Sequence, residues 1–453
     1  MKKVILPLLG LAMSLSSFAD DSSKTITLPD GTTRTVVPVL TMNVAVDGET
    51  ERTFSFGSYS EANYYAVDFG DGELVVTEQI GLTTSTATAT AVKGIAKGEG
   101  VITVYADNAE DIWYLSTASG TNKTTSISSI DLSKLKKVQQ MSIGGHSFES
   151  IDLSACDSLR NFTCSNGELK SLDFSGNPDI TSINVMNNKL TSVNVKNCAK
   201  LDYLNVQTNE LTEIDLTNNP NLANFYVQNN KLASVKFAEN NVKFSYLYLS
   251  NNELTELTVP AAIATFEADN NKIAKISLVD CTKSCKIENN CLSIATLPTK
   301  PAGLNTASKI KKFTYAPQAP MAVEASVTNN IDLSAQLTAV GELEEGTATT
   351  AYSFVDAEGK VLAEGTDYVM NNGVAAFKSS FTGIHAVMTT EAFPKATDAN
   401  AFTTTAFDVN CTNAINAIEA NGDADATYTL SGVKVAAPVK GININNGKKI
   451  FVK

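Results

Sequence analysis

The chain repeats a short pattern about every 21 residues between Val138 and residue 300. Three consecutive units read LDYLNVQTNELTEIDLTNNPN (201–221), LANFYVQNNKLASVKFAENNVK (222–243) and FSYLYLSNNELTELTVPAA (244–262). Apolar residues recur three and five positions after the first apolar residue of each unit, and no stretch holds helical periodicity. A unit this short cannot bury its apolar side chains alone, so neighbouring units must stack. The period therefore predicts a solenoid whose convex side consists of strands and turns.

An asparagine occupies the eighth position of six units, whereas the two preceding units have His146 and Gly167 there. The six are Asn188, Asn209, Asn230, Asn252, Asn271 and Asn290. A side-chain amide offers both donors and an acceptor, so it can pair turn backbone groups that would otherwise be buried without partners. We expect these residues to form a hydrogen-bonded ladder along the solenoid.

The period and the order L-x-x-L-x-L-x-x-N-x-L resemble leucine-rich repeats. Residues 159–177, with Cys164 in the strand, resemble the 21-residue repeats of internalin-like bacterial surface proteins. The resemblance implies a mainly β leucine-rich-repeat solenoid of about eight repeats, with Ile127, Ile130 and Leu132 in a capping half-unit. It also implies a surface adhesin or recognition protein, and it does not specify the ligand.

The segments on either side of the repeats have short alternating runs between glycine turns, as in 101–105 and 373–377, which predicts an Ig-like β-sandwich on each side. Val67–Gly72 resembles the turn motif of polycystic-kidney-disease-type (PKD) domains, in which we expect the aspartates to be structural rather than calcium ligands. The predicted organisation is a signal peptide (1–19), an N-terminal Ig/PKD-like sandwich (20–111), the solenoid (112–300), a proline-rich linker (301–320), a C-terminal sandwich (321–410), a second linker (411–426) and a C-terminal segment (427–453).

The C-terminal segment resembles the sorting domains of type IX secretion substrates in Gram-negative bacteria. The likeness rests on the run 428–435, on 440–444 and on the final 446–453. Val433 stands where that family usually has arginine, and Asn443 where it usually has tyrosine. The alternative is that these strands complete the preceding sandwich.

The first 19 residues have the features of a secretory signal peptide: two lysines, an apolar run and small residues before Asp20. No later stretch approaches the ~18 apolar residues of a membrane span, so we expect no membrane insertion. The net charge of −13 and the lack of a basic cluster disfavour nucleic acid as a partner. We expect a protein that is secreted or lies on the cell surface, outside the outer membrane.

The seven cysteines do not suggest a disulfide framework. Cys156 and Cys198 hold the same position two units apart, roughly 10 Å at the strand spacing of a sheet, which is too far for a bridge. The group Cys281, Cys285 and Cys291 lacks a fourth ligand for zinc, although one local disulfide within it stays open. Cys411 is the candidate free thiol.

Catalysis has little support in the sequence. The protein has only two histidines, His146 in a turn of the ladder and His385 in a candidate strand of another predicted domain, so a histidine-dependent triad or multi-histidine metal centre lacks parts. A carboxylate pair for glycoside hydrolysis stays compatible with the composition. We expect no enzyme activity, no metal and no cofactor.

The candidate binding site lies on the concave face, where alternate residues of each first strand point outward. Tyrosines fall there on three adjacent strands, with amides and two acids beside them; the predicted ligand-binding residues are Tyr203, Asn205, Gln207, Asn224, Tyr226, Gln228, Tyr246, Tyr248, Glu267 and Asp269. Such tyrosines suit a protein interface or stacking on sugar rings, although tyrosine also simply favours strands. We expect an adhesin that binds a host or bacterial extracellular protein; the alternative is a polysaccharide-binding module of a nutrient-capture system.

Overall fold

The computed structural model describes residues 22–28, 30–59, 63–77, 89–118, 127–241, 244–304, 312–343, 345–396 and 401–411, and the backbone of four strands between 427 and 452. The proposed signal peptide and most of the linker 411–426 lie outside the described residues. The chain forms two compact units. The first comprises the residues up to Leu254 with Val259–Glu267 and Leu278–Asp280, and the second comprises the remainder.

The first unit begins with strands that build two sheets. They are β1 (Lys24–Thr27), β2 (Thr33–Val44), β3 (Glu51–Ser58), β4 (Tyr65–Asp68), β5 (Leu74–Val76), β6 (Thr90–Ile95), β7 (Val101–Ala106), β8 (Ile112–Ala118) and β9 (Ile127–Asp131), with a 3-10 turn at Ala109–Asp111. One sheet has the order β1-β2-β7-β4-β5, with β9 also paired to β2. In the β4–β5 turn, Asp68 accepts the amides of Gly70 and Gly72, and Asp71 pairs with Lys97. Both aspartates therefore have structural partners.

The repeats alternate two series of short strands. In chain order they are β10 (Gln140–Ile143), β11 (Asn161–Cys164), β12 (Ser171–Asp173), β13 (Ser182–Asn184), β14 (Ser192–Asn194), β15 (Tyr203–Asn205), β16 (Glu213–Leu216), β17 (Asn224–Tyr226), β18 (Ser234–Phe237), β19 (Phe244–Tyr248), β20 (Glu256–Val259), β21 (Ile263–Glu267), β22 (Lys275–Leu278), β23 (Cys281–Lys286) and β24 (Lys312–Thr314). In the first unit, β21-β19-β17-β15-β13-β11-β10 form a parallel sheet that continues through β8, β3 and β6. The second series pairs as β12 with β14 and β16 with β18.

The solenoid core consists of the inward side chains of both strand series. Leu204, Phe225 and Leu247 are fully buried on consecutive first strands, and Phe225 meets Phe237 of a second strand at 6.3 Å between ring centroids. Each buried side chain of this size contributes about 2 kcal/mol relative to exposure. The structure thus confirms a mainly β solenoid with 21-residue spacing and gives it about seven turns, where the sequence predicted about eight repeats.

The asparagine ladder is present as predicted. Asn209 is buried, and its Nδ2 donates to the carbonyls of Val185 (3.1 Å) and Val206 (3.0 Å). Its Oδ1 accepts the amide of Leu190 at 2.9 Å. One side chain therefore joins backbone groups of neighbouring turns. Asn188, Asn230 and Asn252 repeat these contacts.

A second ladder of buried residues alternates cysteine and asparagine: Cys156, Asn177, Cys198 and Asn219. Asn177 donates to the carbonyl of Cys156 at 2.9 Å, and Asn219 donates to that of Cys198 at 2.9 Å. An asparagine turn thus separates the two thiols. No disulfide joins any of the seven cysteines, Cys281, Cys285 and Cys291 included, all of which lie among the described residues.

The second unit contains the last turns of the solenoid and the C-terminal strands. The strand β24 pairs in parallel with β23, so a further ladder strand lies inside the segment predicted as a linker. Next come β25 (Ser326–Val327), β26 (Asn330–Asp332), β27 (Thr338–Ala339), β28 (Ala348–Thr349), β29 (Ala351–Val355), β30 (Tyr368–Asn371), β31 (Val374–Phe377), β32 (Phe381–Thr389), β33 (Phe402–Thr403) and β34 (Phe407–Val409), with 3-10 turns at Ala302–Leu304 and Ser334–Gln336.

Two small sheets, β25-β34-β32-β29 (with β33 also paired to β32) and β26-β31-β30, contact each other through Phe354, Phe377 and Phe407, whose ring centroids lie 5.0 to 6.3 Å apart. The strands β35 (Thr427–Thr429), β36 (Lys434–Val435), β37 (Gly441–Asn445) and β38 (Lys448–Val452) form a separate sheet. The Ig-like, PKD-like and type IX assignments stay predictions.

Candidate functional site

Four tyrosines form a contiguous cluster on the outward side of the parallel sheet, the concave face. The ring of Tyr226 lies at its centre, 5.5 Å from that of Tyr203, 6.1 Å from that of Tyr246 and 5.2 Å from that of Tyr248. Tyr246 and Tyr248 are 5.9 Å apart. The sequence therefore predicted correctly that these residues share one face. We call these four residues the tyrosine cluster.

In-register parallel pairing brings the cluster together. Tyr203 aligns with Asn224 and then Tyr246, whereas Asn205 aligns with Tyr226, Tyr248 and Glu267. Side chains two residues apart point to the same side of a strand, so both rows face outward. The tyrosines sit on β15, β17 and β19, and Glu267 ends β21 beside them.

The rings shield one another from water. Burial, helped by Tyr203, Tyr248 and Tyr246, raises the pKa of Tyr226 to about 12. Burial also raises the pKa of Tyr248, and the carboxylate of Glu267 adds to that rise. Tyr246 is 38% exposed, so the cluster presents one open ring above partly covered ones. At neutral pH the surface is therefore an uncharged aromatic patch beside an acid.

Amides support the cluster on one side. Gln228 donates to Gln207 at 2.5 Å, and Gln207 in turn approaches the sulfur of Met186 at 3.3 Å. Asn224 donates to Asp202 at 3.4 Å. These contacts run across consecutive strands and fix the side chains that border the rings.

Two of the predicted binding residues offer little surface to a ligand. Asn205 is only 6% exposed because Gln207 and Met186 cover it: its Oδ1 accepts the Gln207 amide, and its Nδ2 lies 3.8 Å from the Met186 sulfur. Asp269, which belongs to the second unit, is 3% exposed and forms an ion pair with Lys286 at 3.0 Å. The simple alternation of inward and outward residues could not predict this covering.

The aromatic residues Trp113 and Tyr114 of β8 were not among the predicted site residues. Tyr114 aligns with Gln140 of β10, so it continues the row of outward side chains. The spacing of 26 residues between these two positions breaks the repeat period, and no repeat pattern could have found the pair.

The second-series strands of the first unit border an open cavity of about 680 Å³. Its lining combines charged residues of both signs, Asp173, Lys196, Glu213, Asp215 and Lys236, with small hydroxyl and aliphatic residues. Asp173 and Asp215 accept backbone amides two residues on, and the hydrogen bonds lower the pKa of each. These carboxylates therefore serve turns of the fold.

His146, the first of the two histidines, lies in the core of its turn. His146 is buried against Phe148 with ring centroids 4.3 Å apart, and burial lowers its pKa to about 4. Within the described part of the chain, no three histidine, cysteine or acidic side chains are placed to hold a metal. The same part contains no helix long and apolar enough to cross a membrane.

Comparison with known proteins shows a likeness to solved structures but not to any family model or curated protein. No family model matches the chain, and no curated protein matches it. Among solved structures, the chain is similar to the functional domain of InlJ from Listeria monocytogenes, described as including a cysteine ladder, with 14% identity and a TM-score of 0.35. The match covers 63% of this chain and 65% of that domain, less than two thirds of its length. The solenoid is assigned from the in-register parallel pairing of its strands.

Proposed function

We propose that this chain is a non-catalytic recognition protein, secreted or held at a bacterial cell surface, that binds an extracellular protein through the concave face. The observation that carries the proposal is the tyrosine cluster. Four rings meet on three adjacent strands, whereas β10, β11 and β13 carry polar residues such as Ser142, Thr163 and Ser182 at the equivalent positions. Such an asymmetric aromatic patch favours a specific contact over a general strand preference.

The chemistry of the patch fits a protein partner. Tyrosine supplies a large contact area at a small cost in side-chain entropy, and hot spots of protein interfaces are rich in it. The rigid strands hold the rings in place before binding, which reduces the ordering cost. Glu267 and Asp202 border the cluster, and the whole chain carries a net charge of −13. The partner surface is therefore expected to be basic.

The experiment is a binding screen of purified protein on arrays of extracellular-matrix and bacterial surface proteins, with a parallel array of neutral polysaccharides. The test variant replaces Tyr203, Tyr226 and Tyr246 together by alanine. The matched control replaces Tyr352, a half-buried strand tyrosine of the second unit. A protein hit that the triple variant loses and the control retains supports the proposal.

Other outcomes would redirect the assignment. A polysaccharide hit lost in the triple variant would move the protein to glycan capture, for which the open ring of Tyr246 would be the stacking platform. Hits that the triple variant retains would refute the concave site. Turnover of a polysaccharide that survives loss of the tyrosines would contradict the non-catalytic assignment.

A further inference from the structure

The concave face does not end where the repeats begin. The strand β8 pairs in parallel with β10, so Tyr114 stands in one row with Gln140, Asn161, Ser182 and Tyr203. Four strand spacings separate the two tyrosines, about 19 Å at ~4.8 Å per spacing. The three residues between them are uncharged and polar. The row therefore has an aromatic residue at each end of a hydrogen-bonding floor.

A β-bulge places a second aromatic residue beside Tyr114. Gly57 of β3 pairs with Tyr114, but the next residue, Ser58, pairs with Ile112, so Trp113 is the extra residue of β8. A bulge of this kind turns two consecutive side chains toward one side of the sheet. The rings of Trp113 and Tyr114 lie 5.6 Å apart.

Gly57 is the residue that makes room for this arrangement. A Cβ built at Gly57 would lie 2.8 Å from Cε2 of Trp113 and 2.9 Å from Cβ of Tyr114. Any larger residue would displace the indole. Both aromatic residues are half-buried, and their position over a glycine on the outward side of β3 places them on the concave face.

Charges of opposite sign accompany the two aromatic groups. A backbone hydrogen-bond row runs from Trp113 through Gln139, Arg160 and Thr181 to Asp202. Arg160 is exposed two strand spacings from Trp113, and Asp202 is exposed next to Tyr203. The positive charge of Arg160 also acts on Tyr59, whose pKa it lowers against the larger raising effect of burial. The Tyr59 hydroxyl donates to the Lys137 carbonyl at 3.2 Å. Arg160 therefore places a positive charge on the Trp113 side of the row, and Asp202 places a negative charge on the Tyr203 side.

We propose that Trp113 and Tyr114, with Arg160 beside them, form a second subsite of the concave face, and that the partner is an extended protein segment lying across the strands. The segment places an apolar side chain on the Trp113–Tyr114 pair, a carboxylate at Arg160 and a basic side chain at the tyrosine cluster. An extended chain covers 19 Å with about six residues. A neutral polysaccharide has no charges to match this polarity, which is why we assign a peptide segment. The inference rests on the proposed function and extends it.

The probe is a random peptide library of about ten residues, long enough to span both subsites. Full-length protein selects peptides from it, and the best peptide is synthesised and titrated. Trp113 is the only tryptophan of the protein, so its fluorescence reports occupancy of the second subsite directly. The expected peptide has an acidic and a basic residue separated by a few positions and quenches or shifts the tryptophan emission.

Variants then separate the two subsites by calorimetry. Trp113→Ala and Arg160→Glu are each expected to weaken binding at least tenfold, the usual effect at an interface hot spot. Lys196→Glu, an exposed basic residue of the opposite strand series, is the matched control and should change binding less than twofold. A peptide with its acid replaced by lysine should regain affinity for Arg160→Glu. Gly57→Ala keeps every ring but displaces the indole, so it should weaken binding as well; cooperative unfolding checks that each variant folds.

The outcomes distinguish the two proposals. If Trp113→Ala and Arg160→Glu bind normally while the triple tyrosine variant does not, the second subsite is wrong and the proposed function stands. If neither set of substitutions matters, both fail. If no peptide is selected, or if a neutral oligosaccharide rather than a peptide changes the tryptophan emission, the peptide assignment is overturned.

Discussion

Acidification should destabilise the solenoid through His146, which takes the place of the ladder asparagine in its turn. Its ring is 3% exposed, stacks on Phe148 and fills the space above Gly167, and neither ring nitrogen makes a hydrogen bond of normal geometry. Burial lowers the pKa of His146 to about 4, although backbone groups of Phe148 and Cys164 and the carboxylate of Glu168 favour the charged form. A protonated His146 would be removed from water without a strong hydrogen-bond acceptor in its place, so the fold favours the neutral imidazole.

The sign and size of the effect follow from linkage. The pKa of His146 is about 6.5 in the unfolded chain and about 4 in the fold. The stability gained by burying the neutral imidazole is therefore complete above pH 6.5 and is lost as the pH falls toward 4. Between pH 7 and pH 5, His146 alone should lower the free energy of unfolding by about 2 kcal/mol. The aspartates with lowered pKa values act below this window, because their contributions are lost only as the pH falls through their folded values.

The assay is urea unfolding followed by tryptophan emission and circular dichroism at pH 7, 6 and 5. The control variant is His146→Asn, which restores the ladder residue and removes the titrating group. The wild type should lose about 2 kcal/mol more than the variant over this range. Equal pH dependence in the two proteins would refute the reasoning, because it would show that the buried imidazole does not resist protonation.

Asn209→Ala should lower the free energy of unfolding by about 2 kcal/mol in urea titrations, because the buried Leu190 amide loses its acceptor and the carbonyls of Val185 and Val206 each lose one of two donors; a loss below 1 kcal/mol would contradict the ladder's role. Gly167→Ala should cost about 1 to 3 kcal/mol, since its Cβ would lie 2.0 Å from Cε1 of His146, whereas Gly176→Ala, with its nearest neighbour at 3.7 Å, should be tolerated; equal melting temperatures would count against the packing described. Cys291, the one cysteine of the seven that is classed as exposed, should be alkylated first in native protein and the buried thiols only on unfolding, as peptide mass spectrometry would show; early labelling of a buried thiol would argue against its burial.

The repeat period was enough to predict the solenoid, the strand register and the asparagine ladder. A period of about 21 fixes which residues align on adjacent strands, and alignment decides which side chains meet. The meeting of Tyr203, Tyr226, Tyr246 and Tyr248 follows from that rule alone. Each of these contacts joins residues of the same turn or of two adjacent turns.

Features that depend on side-chain covering or on breaks in the period could not be predicted. Asn205 and Asp269 have outward positions by alternation, yet neighbouring side chains bury them. The bulge at Trp113 adds one residue to β8, and nothing in a short alternating sequence marks such an insertion. The period fixes which strands align, but it does not specify which side chains fold over a neighbour or where an extra residue shifts the pairing.

A column of alternating charges runs along the solenoid, and the sequence analysis did not predict its ion pairs. Glu168 pairs with Lys189, and Glu210 pairs with Lys231, each pair one turn apart. The alternation is visible once the turns are aligned, but composition alone gives no reason for it. Exposed pairs of this type contribute little to stability, so they serve mainly to keep like charges apart on adjacent turns.

The most direct test of the concave binding face is the affinity of Tyr226→Ala for the protein partner found by the array screen. Tyr226 contacts the other three rings of the cluster, so its loss removes the centre of the proposed contact. The account predicts a rise in Kd of about 30-fold, equivalent to about 2 kcal/mol, with Lys236→Ala on the opposite strand series unchanged. Equal Kd values for Tyr226→Ala and the wild type, in folded proteins, would contradict it.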